Sequence, residues 1–254
     1  MNRKLLMKKV AAGAGECLLR HFRTGVAVRK KGALDLVTVA DETAEKIVIE
    51  GIRSHFPDDH ILAEESGSHS GSNEYQWIVD PLDGTTNFTH GFPHFSVSIA
   101  LAKAGEVVAG IVFDPVKDEW FEAHLGEGAT LNGRPIAVSG ETNMGEALGV
   151  TGFSYDRRDR KNELLDRVSD FLQHARGLRR LGSAALDLCY IASGRFDFYV
   201  EDGLNAWDIA AGSLIVTEAG GRLAGIGGAP FDLHEGKVIA CTPGLLKETT
   251  ERIR

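Results

Sequence analysis

Apolar positions near the start of the chain return at helical spacing. Leu5, Val10, Cys17, Leu18 and Phe22 punctuate a cationic stretch and predict an amphipathic helix over residues 4–22. A second helix is sharper: Ala44, Ile47, Val48 and Ile52 fall at i, i+3, i+4 and i+8, with Asp41 placed as its N-cap. The pattern then shortens to strands. Residues 61–63 are a brief apolar run, 76–79 run straight into Asp80, and 95–102 alternate imperfectly. Strands over 107–113 and 119–123 follow the turn residues Ala104-Gly105 and Asp114-Pro115, which reads as an antiparallel meander.

The second half mixes the two periods. Helices are predicted over 160–175, over 183–192 between Gly182 and Gly194, and over 206–219, the last closed by Gly220 at C′. Strands are predicted over 196–200 and 237–241, and Pro243 opens a final helix. Residues 66–73 read as a polar loop. The result is a mixed α/β protein of the α+β type, with no internal repeat and no long linker. One domain over 1–254 and two closely joined halves both fit this pattern.

Composition narrows the partners. Glycine supplies 30 of 254 residues and is dispersed, which points to tight turns and close backbone approaches. The formal net charge of −8 argues against direct nucleic-acid binding, since a polyanion needs a basic face. An acidic protein that handles phosphate needs a cation between itself and its substrate. The three cysteines, Cys17, Cys189 and Cys241, lie far apart without a CxxC pair, so reduced thiols are expected. No run approaches the roughly 20 apolar residues of a membrane span, and the first residues lack a signal-peptide core. A cytoplasmic protein without membrane contact is the expectation.

Three short stretches carry candidate chemistry. In Trp77-Ile78-Val79-Asp80-Pro81-Leu82-Asp83-Gly84-Thr85-Thr86-Asn87-Phe88 an apolar strand runs into two aspartates at i and i+3. Pro81 is expected to end the ladder there, turning both carboxylates to one side. Two carboxylates so close repel each other unless a cation lies between them, and Mg²⁺ suits oxygen donors of this kind. Gly84, Thr85 and Thr86 are placed to start a short helix whose N–H groups face a phosphate. The plainer alternative is turn chemistry at a strand end. Ala63-Glu64-Glu65-Ser66 follows another short strand, and its alternative is a solvated loop. Trp207-Asp208-Ile209-Ala210-Ala211-Gly212 places Asp208 in a first helical turn, with Asn205 as N-cap; here the alternative is complementing the helix dipole. Together the three stretches supply four carboxylates for two or three metal ions, which can clamp a phosphate between them.

With these motifs in this order, the sequence resembles the inositol monophosphatase family, which groups with fructose-1,6-bisphosphatases and bisphosphate nucleotidases. The resemblance runs from Lys30 to Gly221. It implies a layered α-β-α-β-α sandwich of the sugar-phosphatase kind, with an N-terminal subregion of about 1–140 holding most metal ligands and a C-terminal subregion of about 141–254. It implies Mg²⁺ bound by Glu64, Asp80, Asp83, Asp208 and the Leu82 carbonyl. Thr85, paired with Asp41, would orient and activate the attacking water beside Glu64, as the catalytic set. Asp83, Gly84, Thr85, Gly182, Ser183, Ala184, Glu201 and Asp208 would contact the substrate. Ser183 stands where many members have threonine, and Lys30 matches a lysine near the metals. Direct displacement by water, lithium sensitivity and a homodimer are further implications.

The substrate this implies is a small phosphorylated polyol or sugar, with inositol monophosphate first because Glu201 matches the acidic residue of inositol-selective members. Fructose 1,6-bisphosphate, histidinol phosphate and 3′-phosphoadenosine phosphates are the alternatives. Haloacid-dehalogenase chemistry, with aspartates at i and i+2, does not match the spacing here. A non-enzymatic role as a binding partner of transcription or ribosome-assembly factors also follows from the resemblance, because some bacterial members act so.

Overall fold

The computed structural model describes residues 1–24, 28–30, 36–154 and 158–253, and side chains outside 23–37. The first helix, α1 (Arg3–Thr24), buries Met7, Val10, Ala11, Ala14 and Leu18. A hairpin of β1 (Val28–Lys30) and β2 (Leu36–Thr38) leads into α2 (Val39–His55). Its N-cap is Thr38, not Asp41. The Thr38 hydroxyl accepts from the Ala40 N–H at 3.0 Å, and Asp41 returns the bond by accepting from the Thr38 N–H at 2.9 Å. Asp41 thus occupies the third helical position of a capping box. Both residues are good cap formers, and the extended backbone of Thr38 decides between them.

The sheet strands follow: β3 (His60–Ala63), β4 (Gly67–His69), β5 (Tyr75–Asp83), the one-turn helix α3 (Thr85–Thr89), β6 (Ser96–Lys103), β7 (Glu106–Asp114), β8 (Glu119–His124), β9 (Gly128–Leu131) and β10 (Arg134–Pro135). They form one eight-stranded sheet ordered β10-β9-β8-β7-β6-β5-β3-β4. All of it is antiparallel except the β3/β5 pair. The expected meander is present, and the expected polar loop over 66–73 contains β4, which closes one sheet edge.

The second half contains β11 (Leu148–Thr151), α4 (Lys161–His174), β12 (Gly177–Arg179), α5 (Ala184–Ala192), β13 (Phe198–Asp202), α6 (Ala206–Glu218), β14 (Arg222–Ala224), β15 (Lys237–Cys241) and α7 (Leu246–Arg252), the last entered through a 3₁₀ turn at Pro243–Leu245. Its five strands are ordered β12-β11-β13-β15-β14, with β11 parallel to both neighbours.

Alternation of side chains along the strands stacks these parts into five layers. Trp77, Val79, Val97, Ile99 and Leu101 face α1 and α2. Ile78, Ala100 and Val112 face the opposite way, onto the almost wholly apolar α5 and α6, whose other side meets Val150, Tyr199 and Val238 of the small sheet. Phe171, Phe198, Ile239 and Leu245 then bury the outer face of that sheet under α4 and α7. This is the α-β-α-β-α sandwich expected. Arg3 ties α1 to the stack by two 2.8 Å bonds to Asp59, which also accepts from the indole N–H of buried Trp77. The three cysteines are free thiols, all buried.

Strand β5 departs from expectation in one respect that matters. It does not stop at Pro81 but pairs with β6 on both sides of it: Asp80 lies opposite Ser98 and Asp83 opposite Ser96. Three residues on β5 therefore span two on β6, which is a β-bulge. Without it, residues at i and i+3 would point to opposite faces of the sheet. The extra residue restores Asp80 and Asp83 to one face, the one carrying Ile78 and Ala100 and turned toward α5 and α6.

Candidate active site

Both sheets contain a parallel strand pair, and ligands collect at the C-terminal ends of parallel strands. In the large sheet β3 ends before Glu64 and β5 ends at Asp83; in the small sheet β11 runs out into Gly152-Phe153-Ser154 and β13 ends with Glu201 and Asp202. The N-termini of α3, α5 and α6 meet the same edge. Between them lies a cavity of about 310 Å³, lined on one side by Asp83, Gly84, Thr85 and Thr86 and on the other by Ser183, Ala184, Glu201 and Asp208.

Helix α3 begins at Gly84, whose φ of +99° favours glycine. A β-carbon there would stand 3.1 Å from the His94 carbonyl oxygen and 3.3 Å from that of Gly182. The first N–H groups of any helix lack partners within it. At Gly84–Thr85–Thr86 they lie at the cavity wall. The Thr85 hydroxyl reaches the Leu82 carbonyl at 3.1 Å and Asp41 Oδ1 at 3.3 Å. Burial raises the Asp41 carboxyl above the ordinary carboxylate range, opposed by its bonds from Thr38 and Thr85.

Asp83 is held by three donors from the start of α5. Its carboxylate accepts from the Ser183 hydroxyl at 2.5 Å, the Ala185 N–H at 2.8 Å and the Ala184 N–H at 3.3 Å. Ser183 is also the N-cap of α5, so one hydroxyl joins the helix start to the carboxylate. Burial pushes Asp83 up to about 6 despite these donors. Asp208 accepts from the Asn205 N–H at 2.6 Å, closing the predicted cap of α6. Loss of hydration, reinforced by Asp83 and Glu201, pushes it up to about 8. Asp80, fully buried, is raised well above the ordinary carboxylate range, first by burial, then by the charges of Glu64, Asp83 and Asp208.

These carboxyl groups repel one another, the electrostatic condition a dication relieves. Among the described residues, however, no three His, Cys, Asp or Glu side chains are gathered closely enough to hold a metal ion. The hydrogen bonds show why: Asp83 is turned onto the start of α5 and Asp208 onto its own helix. The donor set of four carboxylates and the Leu82 carbonyl is nonetheless all hard oxygen, which fits Mg²⁺.

On the opposite wall the Tyr199 hydroxyl, buried, donates to Glu201 Oε2 at 2.7 Å. A β-carbon at Gly152 would fall 1.8 Å from that same oxygen, so only glycine leaves room for the Glu201 carboxyl. Burial raises Glu201 to about 7, opposed by Tyr199 and Arg180. The next residue, Asp202, points the other way and is held by two 2.9 Å bonds from Arg160 and one from Arg167. Strand alternation thus gives one carboxylate to the cavity and its neighbour to α4.

All eight residues expected at the substrate line or border this cavity: Asp83, Gly84, Thr85, Gly182, Ser183, Ala184, Glu201 and Asp208. Asp41, Asp80 and Leu82 lie buried behind it, and Glu64 joins them through a hydrogen bond to Asp80. The side chain of Lys30 is outside the described residues. Unanticipated wall residues are Phe153, Ser154, Arg180, Gly203 and Leu204. Arg180 stands directly before Leu181-Gly182-Ser183, where a cation beside a substrate motif was a readable signal; Phe153 belongs to no motif. Asp187 was missed too. It is buried in α5 with neither carboxyl oxygen bonded to another group among the described residues, and burial with the charges of Glu201 and Asp83 pushes it far up.

A five-layered sandwich with acids from strand ends and helix starts meeting at one edge is the architecture of sugar-phosphatase folds. The model of the inositol monophosphatase family matches residues 3–254, and the chain belongs to that family. It is 40% identical over 249 residues to the Nus factor SuhB of Pasteurella multocida, covering 97% of this chain and 93% of that protein. Among solved structures, the extragenic suppressor protein SuhB of Bartonella henselae superposes with a TM-score of 0.94 at 37% identity, covering 98% of this chain and 97% of the other. The inositol monophosphatase of Anabaena gives 0.88 at 39% identity, with 97% and 93% covered.

Proposed function

We propose that the chain hydrolyses a phosphate monoester, myo-inositol monophosphate foremost, with Mg²⁺ as cofactor. The observation that carries this is the cavity itself: the helix start at Gly84–Thr86, the acids Asp83 and Asp208, and the hydroxyl-facing Glu201 share one 310 Å³ space. The N–H groups of Gly84 and Thr85 would hold phosphate oxygens, while Glu201, Ser183 and Ala184 would receive the hydroxyl-bearing ring. Glu64, Asp80, Asp83, Asp208 and the Leu82 carbonyl would hold the metal. When bound, Mg²⁺ supplies positive charge to the phosphate and acidifies water. Thr85 orients the attacking water, and Asp41, its basicity raised by burial, is the proton acceptor behind that hydroxyl. A cytoplasmic homodimer completes this reading.

The test is phosphate release with and without Mg²⁺ from inositol 1-phosphate, fructose 1,6-bisphosphate, histidinol phosphate and 3′-phosphoadenosine 5′-phosphate. A Mg²⁺-dependent preference for the inositol ester supports the full reading; preference for another ester keeps the chemistry and replaces the substrate. No release from any of them by folded protein overturns it.

The relatives' name, Nus factor, favours a second, protein-binding role. Partners retained from cell extract by an inactive Asp83→Asn variant would support it, and their absence with wild-type protein as well would remove it.

A further inference from the structure

Three acids, Asp83, Glu201 and Asp208, line the cavity, and Arg180 is the sole lysine or arginine among the described residues that lines it with them. Other arginines of the fold are committed to partners. Arg3 is bonded to Asp59, Arg160 and Arg167 to Asp202, Arg195 to Glu119, and Arg252 to Asp170 and Glu248. Arg180 makes no hydrogen bond or ion pair among the described residues. Its guanidinium stands across the cavity mouth: Nη1 is 2.3 Å from where a β-carbon at Gly182 would lie, and the group is 5.9 Å from the Phe153 ring centroid. Its charge already reaches the floor, where it pulls down the carboxyls of Asp83 and Glu201 against burial.

A polyol carrying one phosphate has no use for this arm. In the proposed reaction the reacting phosphate would be held at the Gly84–Thr86 helix start and by the metal that the acids would bind, and the ring hydroxyls at Glu201 and Ser183. An unpartnered guanidinium at the rim is a planar fork of donors suited to a phosphate or a carboxylate. Phe153 beside it presents an apolar face against which the body of a ring can lie.

We propose that Arg180, with Phe153 beside it, is a specificity-determining residue that selects phosphomonoesters bearing a second anionic group at the cavity mouth. This rests on the phosphatase reading and extends its substrate class: the helix start and the ring contacts serve the inositol monoester, and Arg180 adds affinity for esters with two acidic groups, one cleaved and one held. Polyol or sugar bisphosphates and phosphorylated sugar acids share that chemistry.

The experiment compares inositol 1-phosphate with inositol 1,4-bisphosphate, which share a ring, in the wild-type protein and in Arg180→Gln and Arg180→Lys variants. The readout is the ratio of kcat/KM for the bisphosphate to that for the monophosphate. Arg180→Gln is expected to lower the ratio about tenfold, the worth of one charge-assisted contact, and Arg180→Lys to restore part of it. The same ratio is read without turnover from calorimetric binding of the hydrolysis-resistant phosphonate analogues. Should neither ester be hydrolysed while the binding ratio still falls in Arg180→Gln, the phosphatase reading fails and the role of Arg180 stands. An unchanged ratio in both readouts overturns the proposal, whether the two probes weaken together, as they would if Arg180 held the reacting phosphate, or neither weakens.

Discussion

Thr85 and Asp41 lie 44 residues apart in the chain and meet at 3.3 Å, hydroxyl to carboxylate. The contact joins the two halves of the proposed water site: Asp41 is fixed in the first turn of α2 by its reciprocal bonds with Thr38, and Thr85 in the first turn of α3. Removing either end should slow the chemistry without loosening substrate. Thr85→Val and Asp41→Asn are each expected to lower kcat by about 10²-fold or more with KM little changed. Groups that act as one unit are not additive, so the double variant should be no slower than the slower single one. Steady-state kinetics on all three decides it; fully additive losses would show that the two residues act separately. Asn at 41 keeps an acceptor for the cap, so the stability lost should stay near about 1 kcal/mol.

Asp83 receives three donors from the start of α5, and in the proposed reaction it would also hold metal. Asp83→Asn keeps the size but loses the charge, leaving the Ala184 and Ala185 N–H groups facing a weaker acceptor. Turnover is expected to fall by orders of magnitude and calorimetric Mg²⁺ affinity to drop, while circular dichroism stays native. Near-normal turnover would remove Asp83 from the metal set.

The acids also predict how stability follows pH. Asp83 at about 6 and Asp208 at about 8 both lie above the ordinary aspartate value of 3.8, so the folded chain holds protons that the unfolded chain has released. Stability from these groups is complete below the unfolded value and is lost as pH climbs through the folded ones. Metal-free protein should therefore lose Tm between about pH 4 and about pH 8, and Mg²⁺ should flatten that slope. Asp187, raised by burial in the same sense, adds to the slope; Asp187→Asn should stabilise the protein by an amount that grows with pH. Thermal melts across pH check both. A Tm that rises with pH in metal-free protein contradicts the protonation pattern.

At Gly152 the prediction is steric. An added methyl would overlap Glu201 Oε2, which cannot retreat without breaking its bond from Tyr199. Gly152→Ala should raise KM for the inositol ester and destabilise the fold by about 1–3 kcal/mol. Unaltered KM would show that Glu201 is not a substrate contact.

Helices α1 and α2 were legible because their apolar residues recur at helical spacing, α5 and α6 because they are apolar runs closed by glycines, and the layered fold followed from the family resemblance. The acids were legible as sequence phrases. What escaped depended on partners distant in the chain. Thr38 and Asp41 are equally good caps until the backbone before the helix is seen. The extension of β5 past Pro81 is decided by Ser96 and Ser98 on the neighbouring strand, which no local pattern reveals. Phe153 and Arg180 enter the cavity only because β11 and β12 end where the N-termini of α3 and α5 converge.

The bulge at Asp80–Asp83 makes this centre sensitive to counting as well as to chemistry. Within the segment a substitution changes one contact, but losing one residue changes parity: Asp83 would exchange sides of the sheet, facing α1 and α2 while Asp80 stayed behind. A chain of nearly identical composition, one residue shorter at Leu82, would keep its sheets and cores yet have its two aspartates back to back. Length in this one stretch is therefore under tighter constraint than the identity of most side chains around it.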